Sequence, residues 1–128
     1  MSMRGKGEAN RPARVGERIR EELMDLLLRG AVKDPGAAGA VIHAVRVSPD
    51  LRHARVFVRA AEPDADEARR RRVIAALERA SGFLRREVGA RLGIRHTPEL
   101  KFVWDESAER AARVEELLDE IRREEAES

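Results

Sequence analysis

Two runs of alternating side chains, separated by a short polar turn, constrain the fold of this chain more than any other feature. The first run places four residues on one strand face: Val41, His43, Val45 and Val47. The second run turns Ala54, Val56 and Val58 to one face, and Arg55, Phe57 and Arg59 to the other. Because successive side chains of a strand point to opposite faces, each run predicts a half-buried strand. Ser48-Pro49-Asp50 is typical of a turn, so the strands should form an antiparallel hairpin.

Two helices are predicted from apolar residues that repeat at three- and four-residue steps. The first should have Pro12 in its opening turn and end at Gly30. Its predicted buried residues are Val15, Ile19, Leu23, Leu26 and Leu27. The second should begin at the capping pair Asp64 and Glu67, and Gly93 should end it. Its predicted buried residues are Leu77, Ala80, Leu84, Val88 and Leu92.

A third strand and a last helix complete the pattern. Leu100, Phe102 and Trp104 alternate with Lys101 and Val103, which predicts the strand. Asp105 or Ser107 can cap the helix, which should fray after its last apolar residue. Its predicted buried stripe is Ala111, Val114, Leu117, Leu118 and Ile121.

The order helix, strand, strand, long broken helix, strand, helix predicts an α+β fold. Packing all the helices on one face of a three-stranded sheet would bury every apolar stripe at once. The opposite sheet face would then carry Arg46, Arg55, Phe57, Arg59 and Lys101. We expect a flexible tail over residues 1–10, one domain over 11–122 and an acidic tail over 123–128.

Length and composition exclude several classes of protein. The 128 residues suffice for one domain with one hydrophobic core. No apolar run approaches the ~20 residues of a membrane span, and residues 1–10 lack the apolar segment of a signal peptide. The absence of cysteine excludes disulfides and thiolate metal sites. We therefore expect a cytoplasmic protein.

The net charge of +2 conceals a strong asymmetry along the chain. Residues 105–128 contain 4 basic and 10 acidic residues, whereas the preceding residues contain 22 basic and 14 acidic ones. Between Arg69 and Lys101 there are 10 basic residues and three acidic ones, Glu78, Glu87 and Glu99. A local basic surface concentrates a polyanion near one face of a protein, so nucleic-acid binding and a solvated helix face are both open interpretations.

A search for catalytic groups finds no convincing set. The three histidines, His43, His53 and His96, lie in different elements and have no ligand spacing. His43 shares its predicted face with three valines, so we expect a buried core histidine. The serines have no nucleophile-elbow context, and no phosphate-binding loop is present. We therefore expect no enzymatic activity, no metal and no cofactor.

The middle of the long helix contains the strongest candidate for a binding site. Since a helical glycine costs roughly 1 kcal/mol relative to alanine, Gly82 predicts a kink or break. Arg72, Arg79 and Arg86 fall near the helix face that carries Gly82. A glycine lets a phosphate approach the backbone, and a helix start offers N–H groups to an anion. The alternative is that Gly82 lets two helices pack closely.

A second glycine pattern is interpreted differently. Gly36-Ala37-Ala38-Gly39 has the GxxG spacing with which KH domains clamp a nucleic-acid backbone. That clamp lies between two helices, whereas this segment lies between a helix and a strand. We therefore interpret the match as a coincidence, and place the clamp's equivalent at Ala80 to Gly82.

Seven short motifs, taken in order and spacing, resemble the bacterial ribosome-binding factor A family over residues 11–121. They are Arg14-Val15-Gly16-Glu17-Arg18-Ile19, Asp34-Pro35, Val45-Arg46-Val47-Ser48-Pro49-Asp50-Leu51, Ala80-Ser81-Gly82-Phe83-Leu84-Arg85, Leu92-Gly93-Ile94-Arg95, Pro98-Glu99-Leu100-Lys101-Phe102 and Asp105-Glu106-Ser107. The resemblance implies a KH-like fold of type II topology, α-β-β-α(kinked)-β-α. In it, Ala80-Ser81-Gly82 replaces the GxxG loop.

The resemblance also implies a function. Members of this family are cytoplasmic assembly factors that bind free 30S small ribosomal subunits. They assist late 16S rRNA processing near its 5′ end and are linked to growth in the cold. They are not enzymes and need no cofactor, and a small ribosome-associated GTPase is implicated in their release. The C-terminal extension is short and acidic, so the role of a longer basic tail does not transfer. A monomer is expected.

The working hypothesis is that arginines hold rRNA phosphates while the kink lets the backbone approach. The proposed RNA-binding residues are Arg11, Arg14, Arg18, Arg72, Arg79, Ala80, Ser81, Gly82, Arg85, Arg86 and Arg95. Phosphate contacts do not identify bases, so specificity should come mainly from the shape of the rRNA. Two alternatives remain open: a general KH-type nucleic-acid binder, and a protein-interaction module that uses the acidic last helix.

Overall fold

The computed structural model describes the backbone of residues 2–127 and the side chains of residues 10–127. In chain order the elements are α1 (Ser2–Leu28), β1 (Ala40–Val47), β2 (His53–Ala60), α2 (Glu67–Arg79), α3 (Ser81–Leu92), β3 (Glu99–Trp104) and α4 (Ser107–Glu127). A short 3-10 turn, Pro35–Ala37, lies between α1 and β1. The predicted order is confirmed, with the long helix divided into α2 and α3.

The three strands form one mixed sheet in the order β1-β2-β3. β1 and β2 are antiparallel, and the Ser48 N–H donates to the His53 carbonyl oxygen (2.8 Å) across the turn, so the predicted hairpin is confirmed. β3 lies parallel to β2. Parallel neighbours need a long crossover connection, which α2 and α3 provide. This mixed sheet and helix order confirm the α+β, KH-like architecture.

The predicted face of β1 is wrong in its first half. Ala40 and Ile42 are buried, whereas His43 is 48% exposed. The strand register shifts between Ile42 and Ala44, so a β-bulge inserts one residue and reverses the alternation. Beyond the bulge Val45 packs against the core as predicted. The expectation that His43 is a core histidine is therefore wrong.

α1, α2 and α3 pack on one face of the sheet. The fully buried core residues include Ile19 and Leu23 of α1, Val56 and Val58 of β2, Leu77 of α2, and Leu84 and Val88 of α3. Gly16 permits a close approach of α1 to the sheet, because a Cβ there would lie 2.5 Å from the Val45 carbonyl oxygen. α1 therefore crosses β1 next to its bulge, at a distance that a larger residue would not allow.

Two predicted helix starts differ from the structure. α1 begins at Ser2 and contains Pro12 in its interior, so the helix also covers most of the predicted 1–10 tail. The φ angle of proline is compatible with a helix. However, proline has no N–H to donate a helical hydrogen bond, and its ring crowds the carbonyl group of the preceding turn. α2 is capped by Asp66 rather than Asp64. Asp66 has extended backbone angles, and its carboxylate accepts a hydrogen bond from the Arg69 N–H at 2.8 Å.

α4 does not pack as predicted. None of its described residues is buried, and its apolar stripe is exposed: Val114, Leu117, Leu118 and Ile121. The expected burial is wrong because α1, α2 and α3 already cover the apolar sheet face. The helix also continues to Glu127 instead of ending after Ile121, as its Arg, Glu and Ala residues favour. Within the described chain, no helix combines the length and apolarity needed to cross a membrane.

The start of α4 is anchored at the end of β3. Asp105 is 6% exposed; its carboxylate accepts hydrogen bonds from the Arg59 Nε (2.8 Å) and from the Ser107 N–H (3.0 Å). Burial opposes ionisation of Asp105, but the hydrogen bonds from Ser107 and the Arg59 charge outweigh it and lower the pKa of this carboxyl group. Further along, Arg70 of α2 reaches Glu109 at 3.1 Å.

Candidate nucleic-acid interface

The junction between α2 and α3 is a single residue. Ala80 has φ −89° and ψ 0°, its N–H donates to the Ala76 carbonyl oxygen, and its own carbonyl accepts from the Leu84 N–H. Helical hydrogen bonding therefore continues close to the junction on both sides, and the chain is kinked rather than looped. No side chain caps the start of α3, which leaves its first N–H groups without a side-chain acceptor. The predicted break is confirmed.

The surroundings of Gly82 distinguish between its two predicted roles, access of a phosphate to the backbone and close packing of two helices. Gly82 is exposed, and a Cβ built there would meet only one atom within 4 Å, the Arg86 Nη1 at 3.6 Å. No neighbouring helix approaches this position, so the close-packing interpretation is wrong. The backbone at the start of α3 is instead open to solvent beside a guanidinium group.

A groove of about 240 Å³ lies beside this junction. It is formed by the segment after α1 together with α2 and α3, and its lining residues are Ala31, Val32, Lys33, Asp34, Ala76, Arg79, Ala80 and Phe83. Phe83 is 36% exposed, and an exposed aromatic ring can stack on an unpaired base. Phe83 and Lys33 were not among the RNA-binding residues predicted from the sequence. The sequence feature that could have identified Phe83 is its position outside the buried stripe of its helix.

Arg79 lies at the groove but is not an isolated cation. Its Nη2 is 2.7 Å from the Asp34 Oδ2, and its Nε donates to the same oxygen at 2.9 Å. Asp34 also accepts from the Gly36 N–H, and this bond together with Arg79 lowers the pKa of the Asp34 carboxyl group. The ion pair holds the 31–34 segment against α2, and it neutralises part of the charge predicted for RNA.

Arg72 and Arg86 are exposed side chains on either side of the kink. The ion pairs of the described residues include neither of them, in contrast to Arg69, Arg70, Arg71 and Arg79 of α2. Hydrogen bonding to Arg69 is the main cause that lowers the pKa of the Glu62 carboxyl group, and the charge of Arg72 also contributes. Arg86 has no such carboxylate among the described ion pairs, so it keeps its full charge for phosphate. These two residues are therefore the strongest cationic candidates near the kink.

Arg85 has a structural contact of its own. Its Nε and Nη2 donate to the Thr97 carbonyl oxygen at 3.1 and 2.8 Å. A Cβ at Gly89 would collide with the Thr97 hydroxyl, so the 93–98 segment packs directly against α3. Arg95 is exposed on that segment, beyond the left-handed Gly93 that ends α3. Arg85 therefore holds this segment against α3.

The three predicted arginines of α1 lie away from the kink. Arg91 of α3 contacts Glu22 (3.0 Å) and Asp25 (2.6 Å) of α1, and the segment that follows α1 lines the groove. The C-terminal end of α1 is therefore the end near the junction. Arg18 lies ten residues before Leu28, about 15 Å along the helix axis, and both Arg11 and Arg14 lie further still. The structure does not bring these arginines together with Arg72 and Arg86.

The GxxG segment has contacts that explain it without a ligand. The Arg69 guanidinium donates to the carbonyl oxygens of Gly36 (3.1 Å) and Ala38. A Cβ at Gly36 would lie 3.0 Å from the Arg72 carbonyl oxygen, so α2 covers this segment closely. These glycines serve the packing of α2, in agreement with the interpretation of the motif as a coincidence.

The described residues offer no metal site. No group of three or more His, Cys, Asp or Glu side chains among them could hold an ion. The closest approach of a histidine to a carboxylate in this part of the chain is His43 Nε2 to Asp105 Oδ2, at 3.7 Å. This pair lies at the anchor of α4, where the Ser107 hydroxyl accepts a hydrogen bond from the Arg59 Nη2 at 2.9 Å.

Comparison with known proteins identifies the family. The profile of the family described as ribosome-binding factor A matches residues 11–118. The ribosome-binding factor A of Gloeobacter violaceus is 46% identical over 121 residues, which cover 92% of this chain and 91% of that protein. The chain therefore belongs to the ribosome-binding factor A family.

Solved structures agree with this assignment. The crystal structure of ribosome-binding factor A from Thermus thermophilus matches with a TM-score of 0.59 and 26% identity, covering 72% of this chain and 93% of that one. A homology model of the Thermus thermophilus factor, described as fitted into the cryo-EM map of a complex with the 30S subunit, matches with a TM-score of 0.53. The latter match has 26% identity and covers 75% of this chain and 92% of the other.

Proposed function

We propose that this protein is a cytoplasmic ribosome assembly factor that binds the small ribosomal subunit through the junction of α2 and α3. Its family is named for ribosome binding, and a structural relative is described in a complex with the 30S subunit. The proposal assigns the binding to surface chemistry, not to catalysis, and requires no cofactor.

The observation that carries the proposal is the open backbone at Gly82. Among the described residues, no side chain caps the start of α3, and the space beside Gly82 contains only the Arg86 guanidinium. A phosphate can approach such a backbone closely, where it meets helix N–H groups and a cation together. Phe83, one residue further, adds a ring for an unpaired base. Together these features suit a single-stranded or distorted segment of rRNA.

The finer function is what the resemblance to the family implies. The protein would hold a local conformation of 16S rRNA during late processing near its 5′ end, and would leave once the rRNA has matured. Mature rRNA that no longer offers an accessible strand would lose the contacts at Gly82 and Phe83. A small ribosome-associated GTPase would assist this release, and the protein would act as a monomer, chiefly in cold-adapted growth.

A second candidate function is favoured by one observation. α4 exposes Val114, Leu117, Leu118 and Ile121 on a helix with acidic flanks, which suits a protein partner better than RNA. A protein-interaction module built on α4 would lose its partner when residues 115–128 are deleted. RNA binding by the α2–α3 junction would remain.

The first test is cosedimentation with purified 30S subunits in a sucrose gradient. We compare the wild-type protein, Arg72→Gln/Arg86→Gln, and the control Arg113→Gln/Arg123→Gln, which removes the same charge from exposed sites on α4. The wild-type protein and the control should comigrate with 30S subunits, and the junction variant should shift toward the top. Equal sedimentation of both variants would contradict a role for the junction.

A salt titration then measures the number of phosphate contacts. The logarithm of the binding constant for RNA should fall linearly with the logarithm of the salt concentration, and each lost contact should reduce the slope by about 0.7. Arg72→Gln/Arg86→Gln should therefore reduce the slope by about 1.4. Comparable affinity of the wild-type protein for unrelated RNA and for 16S rRNA would instead favour a general KH-type binder.

A further inference from the structure

The sheet face that points away from the helices carries three cations in one row. Arg46 of β1 pairs in register with Arg55 of β2, and Arg55 pairs with Lys101 of β3. All three side chains are exposed. Neighbouring strands lie about 4.8 Å apart, so the three Cα atoms span roughly 10 Å. We refer to Arg46, Arg55 and Lys101 as the sheet cation row.

No carboxylate compensates this row within the described part of the chain. Other arginines form ion pairs there: Arg59 with Asp105, Arg69 with Glu62, Arg70 with Glu109, and Arg91 with Glu22 and Asp25. The sheet cation row has none, although Glu99 lies two residues before Lys101, opposite His53 in the register.

Like charges directly opposite each other on neighbouring strands destabilise a sheet. Packing does not require these residues, because their side chains point to solvent. An anionic ligand would remove the repulsion, and a polyanion would satisfy all three cations at once.

An apolar row lies next to the cations. Phe57 of β2 pairs in register with Ala44 and with Val103, and it is only partly buried. An aromatic ring beside a positively charged track is the arrangement that binds single-stranded nucleic acid, with phosphates on the cations and a base stacked on the ring.

We propose that this open sheet face is a second RNA-binding surface, which takes a short single-stranded segment with its phosphates on the sheet cation row and one base on Phe57. The inference rests on the proposed RNA-binding function and adds to it. The α2–α3 junction and the sheet cation row would then hold two separate RNA segments on opposite sides of the domain.

The test is fluorescence anisotropy of a labelled single-stranded oligouridylate of about 12 nucleotides, titrated at several salt concentrations. We compare Arg46→Gln/Arg55→Gln with the junction variant Arg72→Gln/Arg86→Gln and the α4 control Arg113→Gln/Arg123→Gln. The sheet variant should reduce the salt slope by about 1.4, and the α4 control should leave it unchanged. An unchanged slope and affinity in the sheet variant, or no binding of the oligonucleotide by the wild-type protein, would overturn the proposal.

Two further variants separate loss of contact from loss of fold. Removing like charges from neighbouring strands should leave the melting temperature of the sheet variant equal to or above that of the wild-type protein. Phe57→Leu should weaken binding by about fivefold or more with an unchanged salt slope, because only stacking is lost. An unchanged affinity in Phe57→Leu would overturn the assignment of Phe57.

The same variants distinguish failure of the second surface from failure of the proposed function. If the wild-type protein comigrates with 30S subunits, and the junction variant loses RNA binding while the sheet variant keeps it, the second surface is wrong and the junction stands. If only the sheet variant loses RNA binding, the second surface stands and the junction is wrong.

Discussion

Gly16 and Gly82 both lie in helices, but their surroundings are opposite. Gly16 is buried, and a Cβ there would lie 2.5 Å from the Val45 carbonyl oxygen of the neighbouring strand. Gly82 is exposed, and a Cβ there would meet only the Arg86 guanidinium, at 3.6 Å. The fold needs a glycine at the first position and does not need one at the second.

The difference separates a structural glycine from a functional one. A helical glycine costs stability relative to alanine, so each position needs a compensating advantage. At Gly16 the advantage is the close contact between α1 and the bulged strand β1. At Gly82 the folded protein offers no such contact, so we infer that the advantage comes from a ligand that approaches the backbone.

The largest expected effect is that of Gly16→Ala. The added methyl group overlaps a backbone oxygen, which must move together with β1 or α1. Overpacking of this kind costs about 1–3 kcal/mol, more than the gain of alanine in helix propensity. Urea denaturation should show a clear loss of unfolding free energy. A variant as stable as the wild-type protein would show that α1 can move away from β1 without cost.

The next effect concerns Asp105, where the packed part of the domain meets α4. Asp105→Asn should cost about 1.5 kcal/mol, since the amide replaces an ionised acceptor of hydrogen bonds from Arg59 and Ser107. The pKa of Asp105 in the folded protein is lowered below its unfolded value of about 3.9. Its contribution is therefore present above that pH and is lost as the pH falls through the folded pKa.

Measuring the free energy of unfolding at several acidic pH values tests the direction of this pH dependence. The wild-type protein should lose more stability than Asp105→Asn when the pH falls from about 5 to about 2. Parallel curves would mean that the ionisation of Asp105 does not contribute to the fold.

Gly82→Ala should have a smaller effect on stability, and in the opposite direction. The position is helical and exposed with no positive φ angle, so alanine should stabilise the protein by up to about 1 kcal/mol. Affinity for 30S subunits should fall, because the methyl group lies where the phosphate would approach. Thermal unfolding and cosedimentation of the same sample measure both effects. A variant that gains stability and binds as tightly as the wild-type protein would show that nothing approaches this backbone.

The smallest expected effect is that of truncating α4. Removal of residues 115–128 deletes no buried side chain among the described residues 115–127, and it leaves the Arg70–Glu109 ion pair intact. Unfolding free energy should change by less than about 0.5 kcal/mol, and RNA binding should be retained. A large loss of stability would show that the exposed stripe packs on the domain in solution.

The sequence predicted the elements and the kink because these depend on local patterns. Val56 alternates with Arg55 as a half-buried strand requires, and Gly82 interrupts a helical stripe. The burial of His43 and of the α4 stripe was not predictable from the same patterns. One inserted residue at the bulge reverses the alternation of β1, and three helices already occupy the sheet face that α4 was expected to cover.

The candidate site was predicted in part for a similar reason. Spacing along a helix brings Arg72, Arg79 and Arg86 to one side, but it cannot show that Asp34 reaches Arg79 from a distant loop. The same limit applies to Arg18 and Arg86, which spacing along the chain could not separate into different surfaces. Tertiary contacts, not local patterns, determine which cations remain available.

The most direct test of the central claim uses the absence of cysteine in the natural chain. A single cysteine introduced as Ser81→Cys at the kink, or as Glu116→Cys on α4, can carry an iron chelate that cleaves nearby rRNA through hydroxyl radicals. In complexes with 30S subunits, the probe at Ser81 should cleave 16S rRNA strongly at a few adjacent nucleotides, and the probe at Glu116 should cleave it weakly. Strong cleavage from Glu116 with none from Ser81 would contradict the assignment of the α2–α3 junction as the RNA-binding surface.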